Sequence, residues 1–139
     1  MDNVSGNEKI LVVDDDQAIV DSVWQYLRLV GFNSLKAHSG KECLEIVKSE
    51  RPDLILLDLM MPEMDGFEVI EKIKQEKGLE HIPVIFVTAK TSEADQLKGW
   101  QKGASHYITK PFDMDELVSA IHLALYERKR QINQKIYEV

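Results

Sequence analysis

Five short apolar runs alternate along the chain with five segments whose apolar residues recur every three or four positions. The run "KILVVD" (9–14) comes first, and Ile19, Val23, Tyr26, Leu27 and Val30 then mark one face of an amphipathic helix that stops near Gly31. "FNSLKA" (32–37) is the second run; Ser39 with Glu42 predicts a capping box that opens a helix through Cys43, Leu44 and Val47. "DLILLD" (53–58) follows Pro52. After a turn-like "MPEMDG", Asp65 with Glu68 caps a helix carrying Phe67, Ile70 and Ile73. "PVIFVTA" (83–89) precedes a helix opened by Ser92 with Asp95 and reaching about Lys102, and "SHYITK" (105–110) precedes a last helix opened by Asp113 with Glu116.

Strict alternation of strand and helix predicts parallel strands joined by right-handed crossovers, with helices on both faces of the sheet. Runs one, three and four are almost entirely apolar, as strands buried on both faces must be, whereas runs two and five are mixed and belong at the edges. The result is a doubly wound α/β fold with a five-stranded parallel sheet of order 2-1-3-4-5, whose switch point lies between the first and third strands. Ligands of such sheets bind beyond the carboxyl ends of the strands, at that switch.

Composition narrows the setting. The chain has 139 residues, 44% hydrophobic and 29% charged, which suits one domain with a real core. We expect residues 1–8 to be loosely ordered, 9–126 to form the domain and 127–139 to extend the last helix. In that extension Ile132 and Ile136 share a face, read either as a solvated tail or as the start of a coiled-coil connector to another domain or protomer. Lys plus Arg number 17 against 24 Asp plus Glu, so a formal charge of -7 argues against nucleic-acid binding by this domain. A single Cys43 among Leu44, Ile46 and Val47 reads as a small buried hydrophobe. The absence of a long apolar stretch argues against a membrane span, and a cytoplasmic location is expected.

Candidate chemistry gathers where the strands end: Asp14 and Asp15, then Asp58, Thr88 and Lys110 in a Lys-Pro step. Each alone has an ordinary structural explanation as a cap, turn or surface residue. Together, the predicted topology puts them on one rim. Side-by-side carboxylates repel by roughly 1 kcal/mol at 4 Å in water and by more where water is excluded. Three carboxylates are balanced by Lys110 and one divalent cation, and oxygen donors without thiol or imidazole favour a hard ion such as Mg²⁺. Asp16 reads as a helix-start residue.

These motifs resemble the receiver domain of bacterial two-component response regulators. "VVDDD" is similar to the family's acidic pair, "LLDLMMPEMDG" to its phosphoacceptor loop, "VTA" to its hydroxyl switch residue and "GASHYITKPF" to the Tyr and Lys-Pro signature of its fifth strand. The resemblance covers about Lys9 to Tyr126 and implies a flavodoxin-like (CheY-like) fold. It implies Asp58 as the phosphoacceptor, fed by a sensor histidine kinase or phosphotransfer protein. It further implies Asp15, Asp58 and the Met60 carbonyl as Mg²⁺ ligands, Asp14 acting through water, and Lys110 and Thr88 as partners of the phosphoryl oxygens. Tyr107 would follow Thr88 when the latter is drawn inward, and Lys110–Pro111 would be cis. Met60 and Lys90 flank the path of hydrolytic water, and Met60, unable to orient water strongly, implies a long-lived phosphoryl group.

Leu97 and Trp100, three apart on the fourth helix, are expected mainly as core. The alternative is an exposed patch beside Val118, on the face of the fourth helix, fifth strand and fifth helix where relatives form homodimers and dock partners. His38, His81, His106 and His122 show no metal spacing. Two rival functions are a phosphatase of the haloacid-dehalogenase type, which expects a second Asp where this chain has Met60, and a phosphorylation-independent receiver-like scaffold, which typically lacks acceptor or metal residues retained here.

Overall fold

A computed structural model describes residues 7–137, with side chains through Gln134. The expected loose segment at 1–8 therefore lies, for residues 1–6, outside the described residues, as does the Ile136 side chain; the Glu8 carbonyl already accepts the Asn33 amide at 3.0 Å.

The elements run β1 (Lys9–Val13), α1 (Gln17–Leu29), β2 (Asn33–Ala37), α2 (Gly40–Glu50), β3 (Leu54–Leu57), α3 (Gly66–Gln75), β4 (Val84–Thr88), α4 (Glu93–Gln101), β5 (His106–Thr109) and α5 (Met114–Tyr137). All strand pairs are parallel and the order is β2-β1-β3-β4-β5. Register is fixed at the centre, where Leu11 lies between Leu35 and Ile55. β3 and β4 are buried throughout, while the mixed runs became the edges β2 and β5. Two apolar layers result. Val20, Val23, Leu27, Leu117 and Ile121 of α1 and α5 cover one sheet face, and Cys43, Val47, Val69, Ile70 and Ile73 of α2 and α3 cover the other. Each such side chain removed from water contributes about 1.5–3 kcal/mol.

The starts of α1 to α4 follow the predicted caps. The Asp16 carboxylate accepts from the amides of Ala18 and Ile19, and Ser39, Asp65 and Ser92 each accept from the amide three residues on. α1 ends where Gly31 adopts φ 105°, a left-handed conformation that suits a residue without Cβ. Burial pushes the Cys43 thiol up to about 12, with Glu42 adding to the effect, so it is an inert core group. Beyond the core Arg128 of α5 pairs with Asp53 (3.5 Å) and the Glu127 carboxylate stands 3.5 Å from His106 Nε2; Ile132 is exposed. Among the described residues no helix is long and apolar enough to cross a membrane.

One expectation is corrected. Leu97 and Trp100 are not core: they are 58% and 49% exposed. α4 meets the sheet through Gly99, its only buried residue, where an added Cβ would stand 3.2 Å from the Tyr107 ring and 3.3 Å from the Phe86 ring. At 3.6 residues per turn Leu97 falls nearly opposite Gly99 and Trp100 on its flank. The helix is seated by a missing side chain rather than by an apolar stripe.

Candidate phosphoacceptor site

The rim is assembled by the strand ladder itself. The Asp58 amide donates to the Val13 carbonyl (3.1 Å) and the Asp14 amide to the Ala37 carbonyl (3.3 Å), so the residues after β1 and β3 stand side by side. From the far side, the Lys110 amide donates to the Thr88 carbonyl at 2.8 Å, and the following peptide bond to Pro111 is cis. Oxygens of Asp14, Asp15 and Asp58 lie within 4.8 Å of one another; Asp14 and Asp58 are buried and Asp15 is exposed. The Lys110 ammonium reaches between them, 2.5 Å from Asp14 Oδ2 and 3.3 Å from Asp58 Oδ2. The remaining Asp14 oxygen accepts from the Asp16 amide at 2.9 Å, and Asp58 Oδ1 accepts from the Met60 amide at 3.1 Å.

The electrostatics follow from this crowding. Burial pushes the Asp58 carboxyl above its ordinary range and the Asp14 charge adds to the effect, while the Met60 amide, Lys110 and the Thr88 hydroxyl pull it back. For Lys110 burial works against the charge, but Asp14 and Asp58 outweigh it and hold the ammonium above its usual pKa. One lysine does not neutralise three carboxylates. The donor set is all oxygen and opens to solvent at Asp15, which fits a hard divalent cation. Receiver domains bind Mg²⁺ through such an acidic cluster. Among the described residues no other group of acidic, His or Cys side chains converges in this way, and the four histidines stand apart from it.

Thr88 is fully buried at the end of β4, its hydroxyl accepting the Lys90 amide at 3.3 Å. The Tyr107 hydroxyl donates to the Lys90 carbonyl at 2.9 Å, and its ring lies edge-on to Phe86, with centroids 6.0 Å apart. Burial, then Asp95 and Asp58, push its phenol up to about 12, so it remains a donor. Met60 is half exposed beside the carboxylates. Two contributors escaped the sequence reading. The Lys90 carbonyl, rather than its side chain, holds Tyr107. At Gly66 an added Cβ would stand 2.6 Å from the Asp58 carbonyl oxygen, so only glycine lets α3 begin against the loop after β3; the Asp65-Gly66 pair at a helix start was the available signal.

A five-stranded 2-1-3-4-5 sheet with acids, hydroxyl and lysine on one rim defines a receiver domain, and the chain belongs to the response regulator receiver domain family, whose model matches residues 10–122. It is a receiver domain of the two-component response regulators, a family of signalling switches. Among solved structures, the response regulator receiver domain protein (CheY-like) from Methanospirillum hungatei JF-1 is similar at TM-score 0.84 and 32% identity, over 89% of this chain and 98% of that one. The alkaline phosphatase synthesis transcriptional regulatory protein PhoP of Bacillus subtilis is 40% identical over 119 residues, 86% of this chain and 49% of PhoP. The DNA-binding dual master transcriptional regulator RpaA of Synechocystis sp. is 37% identical over 126 residues, 91% of this chain and 52% of RpaA. The chain thus spans about half the length of the curated relatives it matches.

Proposed function

We propose that Asp58 accepts a phosphoryl group from the phosphohistidine of a sensor histidine kinase or phosphotransfer protein, and that the resulting acyl phosphate changes the surface around α4 and β5. The observation that carries this reading is the convergence of Asp14, Asp15 and Asp58 within 4.8 Å, with the Lys110 ammonium at 2.5 and 3.3 Å from two of them. An Asp58 carboxylate oxygen attacks phosphorus, the P–N bond breaks, and the imidazole leaves with the bonding pair and takes a proton from solvent. Phosphoryl transfer asks the protein mainly for positioning and positive charge. Lys110 turns its ammonium toward a phosphoryl oxygen, and the Thr88 hydroxyl donates to another. Asp15, Asp58 and the Met60 carbonyl would hold Mg²⁺, with Asp14 acting through water, and the ion would supply the balancing charge. Thr88 drawn inward leaves space behind it that Tyr107 follows, and only such differential contacts can shift a two-state population.

On this reading residues 9–126 are the receiver unit and 127–139 lead α5 toward another segment or protomer. The exposed Leu97 and Trp100 belong to an α4–β5–α5 face that docks partners or a second copy. The domain works in the cytoplasm, and DNA contact falls outside this acidic domain. Catalysis is limited to the domain's own phosphorylation and dephosphorylation. Incubation with acetyl phosphate and Mg²⁺ followed by intact mass measurement tests the core claim. The wild type should gain one phosphoryl group and Asp58→Ala none; an unmodified wild type, or an Asp58→Ala chain that still gains mass, overturns it.

A further inference from the structure

Gly99 is the only fully buried residue of α4, so something besides an apolar stripe must hold the helix. Its other anchors lie on α3. Lys102 Nζ stands 2.6 Å from Glu71 Oε1, and Lys98 Nζ sits 4.4 Å from the centroid of the Phe67 ring. The two cations are four apart, Lys98 on α4 and Lys102 capping its C-terminus, and their partners four apart on α3, so the contacts form two rungs between neighbouring elements. The lower rung is partly shielded, with side-chain exposures of 28% and 43%, and Lys102 holds the Glu71 carboxyl below the usual range. At the upper rung, Phe67 lies edge-on to Phe86 at 5.7 Å, and Phe86 in turn to Tyr107. α3 is itself fixed to the acceptor loop, the Gly66 amide donating to the Leu59 carbonyl at 3.0 Å.

We propose that the Lys102–Glu71 and Lys98–Phe67 contacts are a strap by which α3 holds α4 in its resting position, so that the strap's strength sets how much phosphorylation is needed to move the α4 surface. This rests on the Thr88–Tyr107 switch described above. The strap does not touch Asp58, Thr88 or Lys110, so weakening it changes the response and not the chemistry of phosphoryl transfer.

Amide hydrogen exchange of residues 93–101, read by mass spectrometry on the full chain, tests it. Glu71→Gln and Lys102→Met should each raise α4 exchange about two- to fivefold, the range a partly exposed ion pair reaches, with residues 66–75 unchanged. The acetyl phosphate concentration giving half the α4 response should fall by a similar factor. The charge swap Glu71→Lys with Lys102→Glu should return both readings toward wild type. If the swap behaves as the sum of the single-site reversals, or if α4 moves in phosphorylated wild type yet ignores both single substitutions, the strap fails and the switch stands. If wild type gains its phosphoryl group and α4 exchange does not move, the switch reading fails and the threshold role with it.

Discussion

α3 and α4 are neighbours of nearly equal length, ten and nine residues, each opened by a side-chain cap, yet they are held to the sheet in different ways. α3 buries Val69, Ile70 and Ile73 completely or nearly so; in α4 only Gly99 is fully buried, and no side chain is. At about 1.5–3 kcal/mol per buried aliphatic side chain, α3 cannot leave its seat without losing a sizeable part of the domain's stability. α4 can shift at the cost of two cation contacts and a close glycine approach. The helix that begins at the acceptor loop is thus rigid, and the helix beside Tyr107 belongs to the low-stability end of the fold. In the proposed mechanism this division is useful: chemistry needs fixed distances, and a readout needs an element whose two positions differ little in free energy.

The comparison breaks first at Ile70. Ile70→Ala, on α3, should cost about 2–5 kcal/mol by urea unfolding, because a fully buried side chain leaves a cavity in the apolar layer between α2, α3 and the sheet. A loss below 1 kcal/mol would mean that α3 is no better seated than α4. Asp58→Asn acts in the opposite sense. The folded-state pKa of Asp58 is raised, chiefly by burial, so the stability it contributes is full below its unfolded value and is lost as pH rises through the raised one. At neutral pH without metal the ionised group is therefore a burden. Lys110 keeps Asp14 as partner when Asp58 is replaced, so nothing is orphaned. Asp58→Asn should gain about 1 kcal/mol or more at pH 7, the scale of like-charge repulsion at this distance. The gain should shrink in thermal melts as pH is lowered through the raised pKa, and Mg²⁺ should remove most of it. Met60→Asn probes a half-exposed side chain beside the carboxylates. A half-exposed thioether cannot orient water, an amide can, and loss of the phosphoryl group should speed up a few-fold, under about 1 kcal/mol of barrier. An unchanged or slower rate refutes the water-orientation argument.

The sheet and the acceptor rim were legible because they follow from rules that act on whole elements. Strands buried on both faces must read as apolar runs, so β1, β3 and β4 declared themselves central, and parallel topology then carried Asp14, Asp58, Thr88 and Lys110 to one end. The seating of α4 was not legible. Leu97 and Trp100 at a three-residue spacing say that two apolar side chains lie near one another, not which side of the helix meets the sheet. The residue that decides it, Gly99, has no side chain and is silent in any hydrophobic pattern. Gly66 is silent in the same way, and only the Asp65-Gly66 pair at a helix start points to it. The Lys102–Glu71 pair joins residues 31 apart on different helices, and local sequence carries no signal for such a contact.

The mildest substitutions sharpen the contrast most. Leu97→Gln and Trp100→Gln replace exposed apolar residues by a good helix former, so neither propensity nor burial should be lost. Each should change unfolding free energy by no more than about 0.5 kcal/mol. Both should leave acetyl phosphate labelling of Asp58 at its wild-type extent, since neither side chain reaches the carboxylates. What they should alter is association. On the proposed reading the exposed pair is where a partner or second copy docks, and replacing it should weaken any phosphorylation-dependent dimer seen by light scattering. If either substitution instead costs 2 kcal/mol, Leu97 or Trp100 is buried in solution, α4 has the apolar seat that its exposure here denies, and the division between a fixed α3 and a movable α4 disappears.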